Sequence, residues 1–368
     1  MTAFSVIAAL NILEQQHALL FLLIDLSLKS TVILSLAFAI QFLISGRSTT
    51  SSTKSIVWMM AFAALILLPL FNQILPKIAF SVNSEADLAS NMASLQIDAV
   101  AASLFGLSLG YLLISGLLLC YLLSGILKVV ILTRFARPFT HEIAQRSLQQ
   151  LQQINGCDRP IELLVSAKIS SPLTWGVRRH KIIFPLAARG WSEELLQQSI
   201  SHELGHVQRG DWMLQIAARL AVSLYWINPL TWLAHRQLLL EMEMACDDVA
   251  VENSRSPLSY AQNLLTLANS FSSQRSLAAS ALLGVQSSLS RRIRHILRQE
   301  VNGRSSDTSN ILPSLFVAAL VVAPLSALSL EAHEIELPIS VRFEVPVIAV
   351  SFFPNGSKEH EYLMAEFR

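Results

Sequence analysis

Two patterns of apolar residues divide the chain. Four runs are apolar almost throughout: LSLKSTVILSLAFAIQFLI (26–44), IVWMMAFAALILLPLFNQIL (56–75), AASLFGLSLGYLLISGLLLCYLLSGIL (101–127) and ILPSLFVAALVVAPLSALSL (311–330). A helix needs about 20 residues to cross roughly 30 Å of hydrocarbon, so each run predicts a transmembrane helix. Residues 4–24 are also apolar and long enough for a fifth crossing, but Glu14, Gln15, Gln16 and His17 interrupt them, which favours an interfacial or re-entrant helix there. Gly106 and Gly110 lie at GxxxG spacing in the third run; this permits close helix approach and equally fits ordinary glycine tolerance in membrane helices.

Between the third and fourth runs the pattern turns amphipathic. FTHEIAQRSLQQLQQIN (139–155) repeats apolar residues at helical spacing and stops at Gly156. IELLVSA and HKIIFP are β-rich, and SSPLTWGVRR between them, broken by Pro172 and Gly176, predicts an extended or hairpin segment. Ser192 then precedes EELLQQSISHELGHVQRGD, with Glu193 and Glu194 where the positive end of a helix favours carboxylates. Another helix is expected from Pro229, after Asn228, and further ones over 257–271 and 287–299. The expected organisation is a membrane domain over 1–130, an inserted α+β domain over 131–310, a fourth transmembrane helix over 311–330 and a tail over 331–368. In that tail IELPISVRFEVPV alternates with period two, and Asn355-Gly356 marks a hairpin turn.

Composition agrees with a bilayer protein: 14% of residues are charged, against roughly 25% in soluble proteins, and the mean hydropathy is +0.49. A formal net charge of +1 supplies no field that would attract nucleic acid. Three scattered cysteines do not make a disulfide framework and are expected to be reduced. No signal-peptide pattern opens the chain, so a retained N-terminus is expected. Basic residues flank the runs on alternate sides: Arg47 and Lys54, then Lys128, Arg134 and Arg137, then Arg291, Arg292, Arg294 and Arg298. The loop between the second and third runs and the tail are richer in acids. The positive-inside rule then puts the N-terminus and tail outside and residues 128–310 in the cytoplasm.

The chemistry concentrates in SHELGHVQRGD (201–211). On a helix, residues four apart share a face, so His202 and His206 can offer ring nitrogens to one ion, with Glu203 turned about 100° toward the water beside it. Two solvated histidines on an amphipathic helix would look alike, but a second motif lowers the weight of that alternative. EMEMACDD (241–248) supplies Glu243 as a third ligand and, one turn later, Asp247 to hydrogen-bond the far nitrogen of a ligand histidine. Glu241 and Asp248 are the competing assignments. An oxyanion donor is also expected, with His235, Tyr225 and Tyr260 as unranked candidates.

HELGHVQRGDW, WINPLTW and EMEMACDD, preceded by SPLTWGVRRHKIIFP and enclosed by three runs before and one after, resemble the BlaR/MecR-type membrane metallopeptidases. The resemblance covers roughly residues 25–330. It implies an α-helical membrane protein carrying a cytoplasmic α+β zincin domain of the gluzincin kind. Zinc would be held by His202, His206 and Glu243, with Glu203 as general base and Asp247 orienting a ligand. It further implies that Pro172, Leu173, Thr174, Trp175 and Gly176 form an edge strand able to pair with an extended substrate. The function so implied is a zinc endopeptidase of a bacterial inner membrane, cutting a cytoplasmic or membrane-proximal protein in regulated proteolysis, with a catalytically silent receptor as the alternative. The expected partners are a protein substrate and the lipid bilayer; a homo-oligomer is allowed and nucleic acid is not expected. The 38 residues from 331 to 368 are too few for a penicillin-binding sensor, so antibiotic sensing by acylation is not expected. Self-cleavage near the basic stretch 291–305 is a further expectation.

Overall fold

The structure is a computed structural model that describes residues 3–45, 50–74, 78–79, 93–272, 288–298 and 328–329. Residues 1–331 form one compact unit and 332–368 another, and every described residue belongs to the first. The patterned tail and most of the fourth apolar run lie outside the described residues.

Helices α1 (Ala3–Ser45), α2 (Ser51–Ile74) and α3 (Ala93–Arg134) carry three stretches long and apolar enough to cross a membrane, at Leu22–Ser45, Ser51–Asn72 and Gly106–Arg134. Residues 4–24 are helical, as expected, and continue without a break into the first apolar run: α1 is continuous for 43 residues, roughly 64 Å at 1.5 Å per residue. Glutamate and glutamine are good helix formers, so these polar residues do not break the helical backbone. A Cβ at Gly106 or Gly110 would meet nothing within 4 Å, so among the described residues no helix uses that close approach.

A polar cluster not anticipated from the runs lies between α1 and α2. Lys29 Nζ is 2.7 Å from Asp25 Oδ2 and donates to Asn72 Oδ1 at 2.7 Å, while Asn72 donates back to Asp25 at 3.2 Å. All three are buried, and mutual pairing is what makes such burial tolerable in an apolar bundle.

Beyond α3 the chain forms a four-stranded sheet in the order β2 (Arg137–Pro138), β3 (Ile161–Ser166), β5 (His180–Pro185), β4 (Leu173–Trp175). Strands β3 and β5 match the sequence expectation and pair in parallel, Ile161 opposite His180; β4 returns antiparallel on β5, Thr174 opposite Ile182. The two-residue β2 was not expected. Helix α4 (Glu142–Ile154) and then α5 (Glu193–Arg209) cover the sheet, burying Leu148, Leu151, Ile182, Phe184, Ile200 and Leu204.

Helices α6 (Asp211–Leu224) and α7 (Pro229–Glu252) form a hairpin, and α8 (Pro257–Ser272) and α9 (288–298) follow. The hairpin does not stand apart from the membrane helices. Ala218, Ala221, Ala234 and Leu238 share one hydrophobic core with Leu34, Trp58, Phe62 and Leu65 of α1 and α2. Pro69 has no N–H to give to the Leu65 carbonyl one turn earlier, and the Tyr225 hydroxyl donates to that carbonyl instead, at 2.9 Å. Asn228 caps α7 by accepting from Leu230 N–H and also donates to Ser30 and Thr31 of α1. Leu65 lies 14 residues into α2, roughly 21 Å from its start. The tip of the hairpin therefore sits well along the length of the membrane helices.

Candidate metal centre

Helix α5 begins and ends where its sequence dictates. Ser192 Oγ accepts from Leu195 N–H at 3.3 Å, Glu193 and Glu194 fill the first turn, and Gly210 closes the helix at φ 68°. That left-handed residue lets α6 start at once, so Asp211 folds back toward the last turn of α5. Helix α7 crosses α5 at close range. A Cβ on Gly205 would lie 3.2 Å from Cys246 Sγ, so the glycine inside HELGH is what admits α7.

The crossing brings the expected residues together. His202 Nε2 is 3.6 Å from Glu243 Oε2, and His206 Nε2 is 3.7 Å from Glu243 Oε1. One donor atom from each of the three lies within 4.8 Å of the others. Donors about 2.0 to 2.1 Å from one tetrahedral ion stand roughly 3.3 Å apart, so this spacing fits a metal with little adjustment. Charge points the same way. Among the described residues, four carboxylates, Glu203, Asp211, Glu243 and Asp247, gather here with two guanidiniums, Arg209 and Arg292. Two negative charges remain, which a divalent cation would balance.

With the protein's own charges alone, the histidines take up that excess. Burial pushes His202 down, but hydrogen bonds to Asp247 and Glu243 outweigh it and raise its pKa to about 10. His206 is raised too, against burial, chiefly by its bond to Asp211. Burial would raise Glu243, yet the Arg292 guanidinium and the two histidines bring it down to about 2. Asp247 is likewise held well below the usual carboxylate range, because Arg292 outweighs the effect of its burial.

Each histidine is oriented from behind. His202 Nδ1 is 3.2 Å from Asp247 Oδ1, which also accepts from the Tyr260 hydroxyl at 2.8 Å. His206 Nδ1 is 2.7 Å from Asp211 Oδ2. Arg209 reaches Asp211 at 3.3 Å and donates to Ser52 and Ser55 at the start of α2. Nδ1 being engaged leaves Nε2 of both rings facing the centre.

The alternatives raised by the sequence separate cleanly. Glu241 is buried away from the centre, bonded to Gln237 and Gln41, and Asp248 pairs with His295 at 2.6 Å. Of the oxyanion candidates, Tyr225 is committed to Leu65, His235 packs edge-on against Phe62, and Tyr260 stands behind His202. Leu173, Thr174 and Trp175 form β4, the edge of the sheet, with Pro172 and Gly176 on either side. Thr174 donates from its hydroxyl to Glu203 Oε2 at 2.5 Å, which ties that edge to the HExxH helix. Asp211, Arg209 and Arg292 were not singled out in the sequence as part of this centre. Asp211 had one local signal, an acid directly after the glycine that ends the histidine helix.

Membrane helices joined to a centre of two histidines and a glutamate define a membrane metallopeptidase type of protein. The family model of the BlaR1 peptidase M56 matches residues 21–296, and the chain belongs to that family. Over 82 residues it is 37% identical to the Regulatory protein BlaR1 of Bacillus licheniformis, a stretch covering 22% of this chain and 14% of that relative.

Proposed function

We propose that the chain is a zinc-dependent endopeptidase of a bacterial inner membrane that hydrolyses a cytoplasmic or membrane-proximal protein as a signalling step. The observation that carries this reading is the meeting of His202, His206 and Glu243 across α5 and α7, with Glu203 beside them. Zinc held there would polarise the scissile carbonyl and acidify water for attack. Glu203 takes the proton from that water on its carboxylate and hands it to the leaving amine. Before substrate arrives, the Thr174 hydroxyl holds the Glu203 carboxylate toward β4, where an extended peptide would add as a further strand. In this reading the fold around the centre is of the gluzincin kind.

Four transmembrane helices with the peptidase side in the cytoplasm fit the packing. The start of α2, through Ser52 and Ser55, and Gln41 near the end of α1, through Glu241, lie on the side of the metal centre. At the other end, β1 (Ile78–Ala79) pairs with β6 (Leu328–Ser329), joining the loop after α2 to the end of the fourth apolar run.

The test is zinc content and proteolysis of the detergent-purified chain and its Glu203→Gln variant on an unfolded protein substrate. One zinc in each, with cleavage reduced about 10²-fold or more in the variant, is the expected result. Equal cleavage by both would remove Glu203 from the role of base.

A further inference from the structure

Arg292 touches two carboxylates of the centre at once. Its Nη1 is 2.8 Å from Glu243 Oε2, while Nη2 and Nε are 2.7 and 2.8 Å from the two oxygens of Asp247. The two acids lie one turn apart on α7, and the guanidinium spans them from a different helix, 45 residues beyond Asp247. A guanidinium is planar with donors in a fixed fork, so it fixes both the position and the plane of a carboxylate it binds side-on.

We propose that Arg292 is a positioning residue of the metal centre. It holds Glu243 by one oxygen so that the other is presented beside His206, and it holds the Asp247 carboxylate against His202 Nδ1. The proposal rests on reading His202, His206 and Glu243 as metal ligands. Glu243 needs such help more than the histidines do: its side chain is 36% exposed, against 13% and 12% for theirs. A glutamate has three torsions to fix, and packing that covers it only in part selects its ligating rotamer less firmly, so the fork adds that selection.

Helix α9 delivers the guanidinium through contacts of its own. His295, one turn on, is 2.6 Å from Asp248 Oδ1 and 3.1 Å from Ser51 Oγ, so α9 is fastened to α7 and to the start of α2. Ile296 is fully buried against Ala250, Val251, Tyr260 and Ala261. The third ligand of the centre is therefore aimed by an element remote in sequence from all three ligands.

The experiment is a competition for Zn²⁺ between the detergent-purified full chain and a chromogenic chelator. It compares the parent, Arg292→Gln, Arg292→Lys, Glu243→Ala and the double variant Glu243→Ala with Arg292→Gln. The parent is expected to bind one zinc. Arg292→Gln is expected to weaken zinc binding about 10- to 100-fold, the range typical of groups that orient ligands. Lysine keeps the charge without the fork, so Arg292→Lys is expected to fall between the two. In the Glu243→Ala background, the loss on adding Arg292→Gln is expected to shrink, because much of its effect passes through Glu243. Parent-like affinity in Arg292→Lys together with Arg292→Gln, or an undiminished loss without Glu243, overturns the proposal. Should Arg292→Gln not fold, parent-like affinity in Arg292→Lys alone overturns the claim that the fork matters. A parent that binds no zinc removes the ligand assignment, and the proposal with it, whereas a binding parent with indifferent Arg292 variants leaves that assignment standing.

Discussion

The two histidines of the centre are held by the same kind of partner, assembled in opposite ways. Behind His206 stand Asp211 and Arg209, all within six residues across one glycine-capped helix end. Behind His202 stand Asp247 from α7, Tyr260 from α8 and Arg292 from α9, gathered from three helices. The first half forms when α5 and α6 form. The second exists only when three later helices are docked. Geometry that depends on tertiary docking is the more easily lost, so the His202 side is where disturbances elsewhere in the fold would reach the centre.

The largest expected contrast comes from removing the two orienting acids in turn. Asp247→Ala is expected to weaken zinc binding about 100-fold, because it releases His202 and leaves the buried Arg292 without its main partner. Asp211→Ala is expected to cost nearer 10-fold, because Arg209 keeps Ser52 and Ser55 as acceptors. Equal losses, measured by chelator competition, would break the asymmetry. The same contrast has a pH form. His202 is raised from 6.5 to about 10 in the fold. In chelator-treated protein its contribution to stability is thus full below pH 6.5 and lost as pH climbs to about 10. Thermal midpoints in chelator should fall across that window and zinc affinity should rise, since the ion displaces the proton. In Asp247→Ala the window should contract toward 6.5. The smallest effect belongs to Tyr260→Phe, which deletes one of several donors to Asp247. A loss of a few-fold in zinc affinity is expected, about 1 kcal/mol, checked by the same competition.

Legibility from sequence follows this division. HELGH, the Ser192 cap, the Asn228-Pro229 start of α7, and strands β3 and β5 were all readable, because each depends on neighbours along the chain. Glu243 was readable as a candidate but not separable from Glu241, since helical spacing alone does not say which face of α7 meets α5; the Gly205 contact with Cys246 decides it. Arg292 was read only as a basic flank that orients the membrane topology. Nothing local distinguishes it from Arg291 or Arg294, and only the docking of α9 selects it. The Asp25, Lys29 and Asn72 cluster escaped for a related reason: its members lie at the edges of two separate apolar runs and make sense only as a group.

The bond between the Tyr225 hydroxyl and the Leu65 carbonyl has a consequence for modularity. Here the α6–α7 tip fills a gap that a proline opens in the anchor's own backbone, and its flanks complete the anchor's core. A fragment beginning at residue 131 would carry Leu214, Ala218, Val222 and Leu238 with no α2 to meet them, and a foreign anchor would need both a matching groove and an orphaned carbonyl at the same depth. The segment that carries the metal centre and the helices that anchor it are in this chain a single packed part.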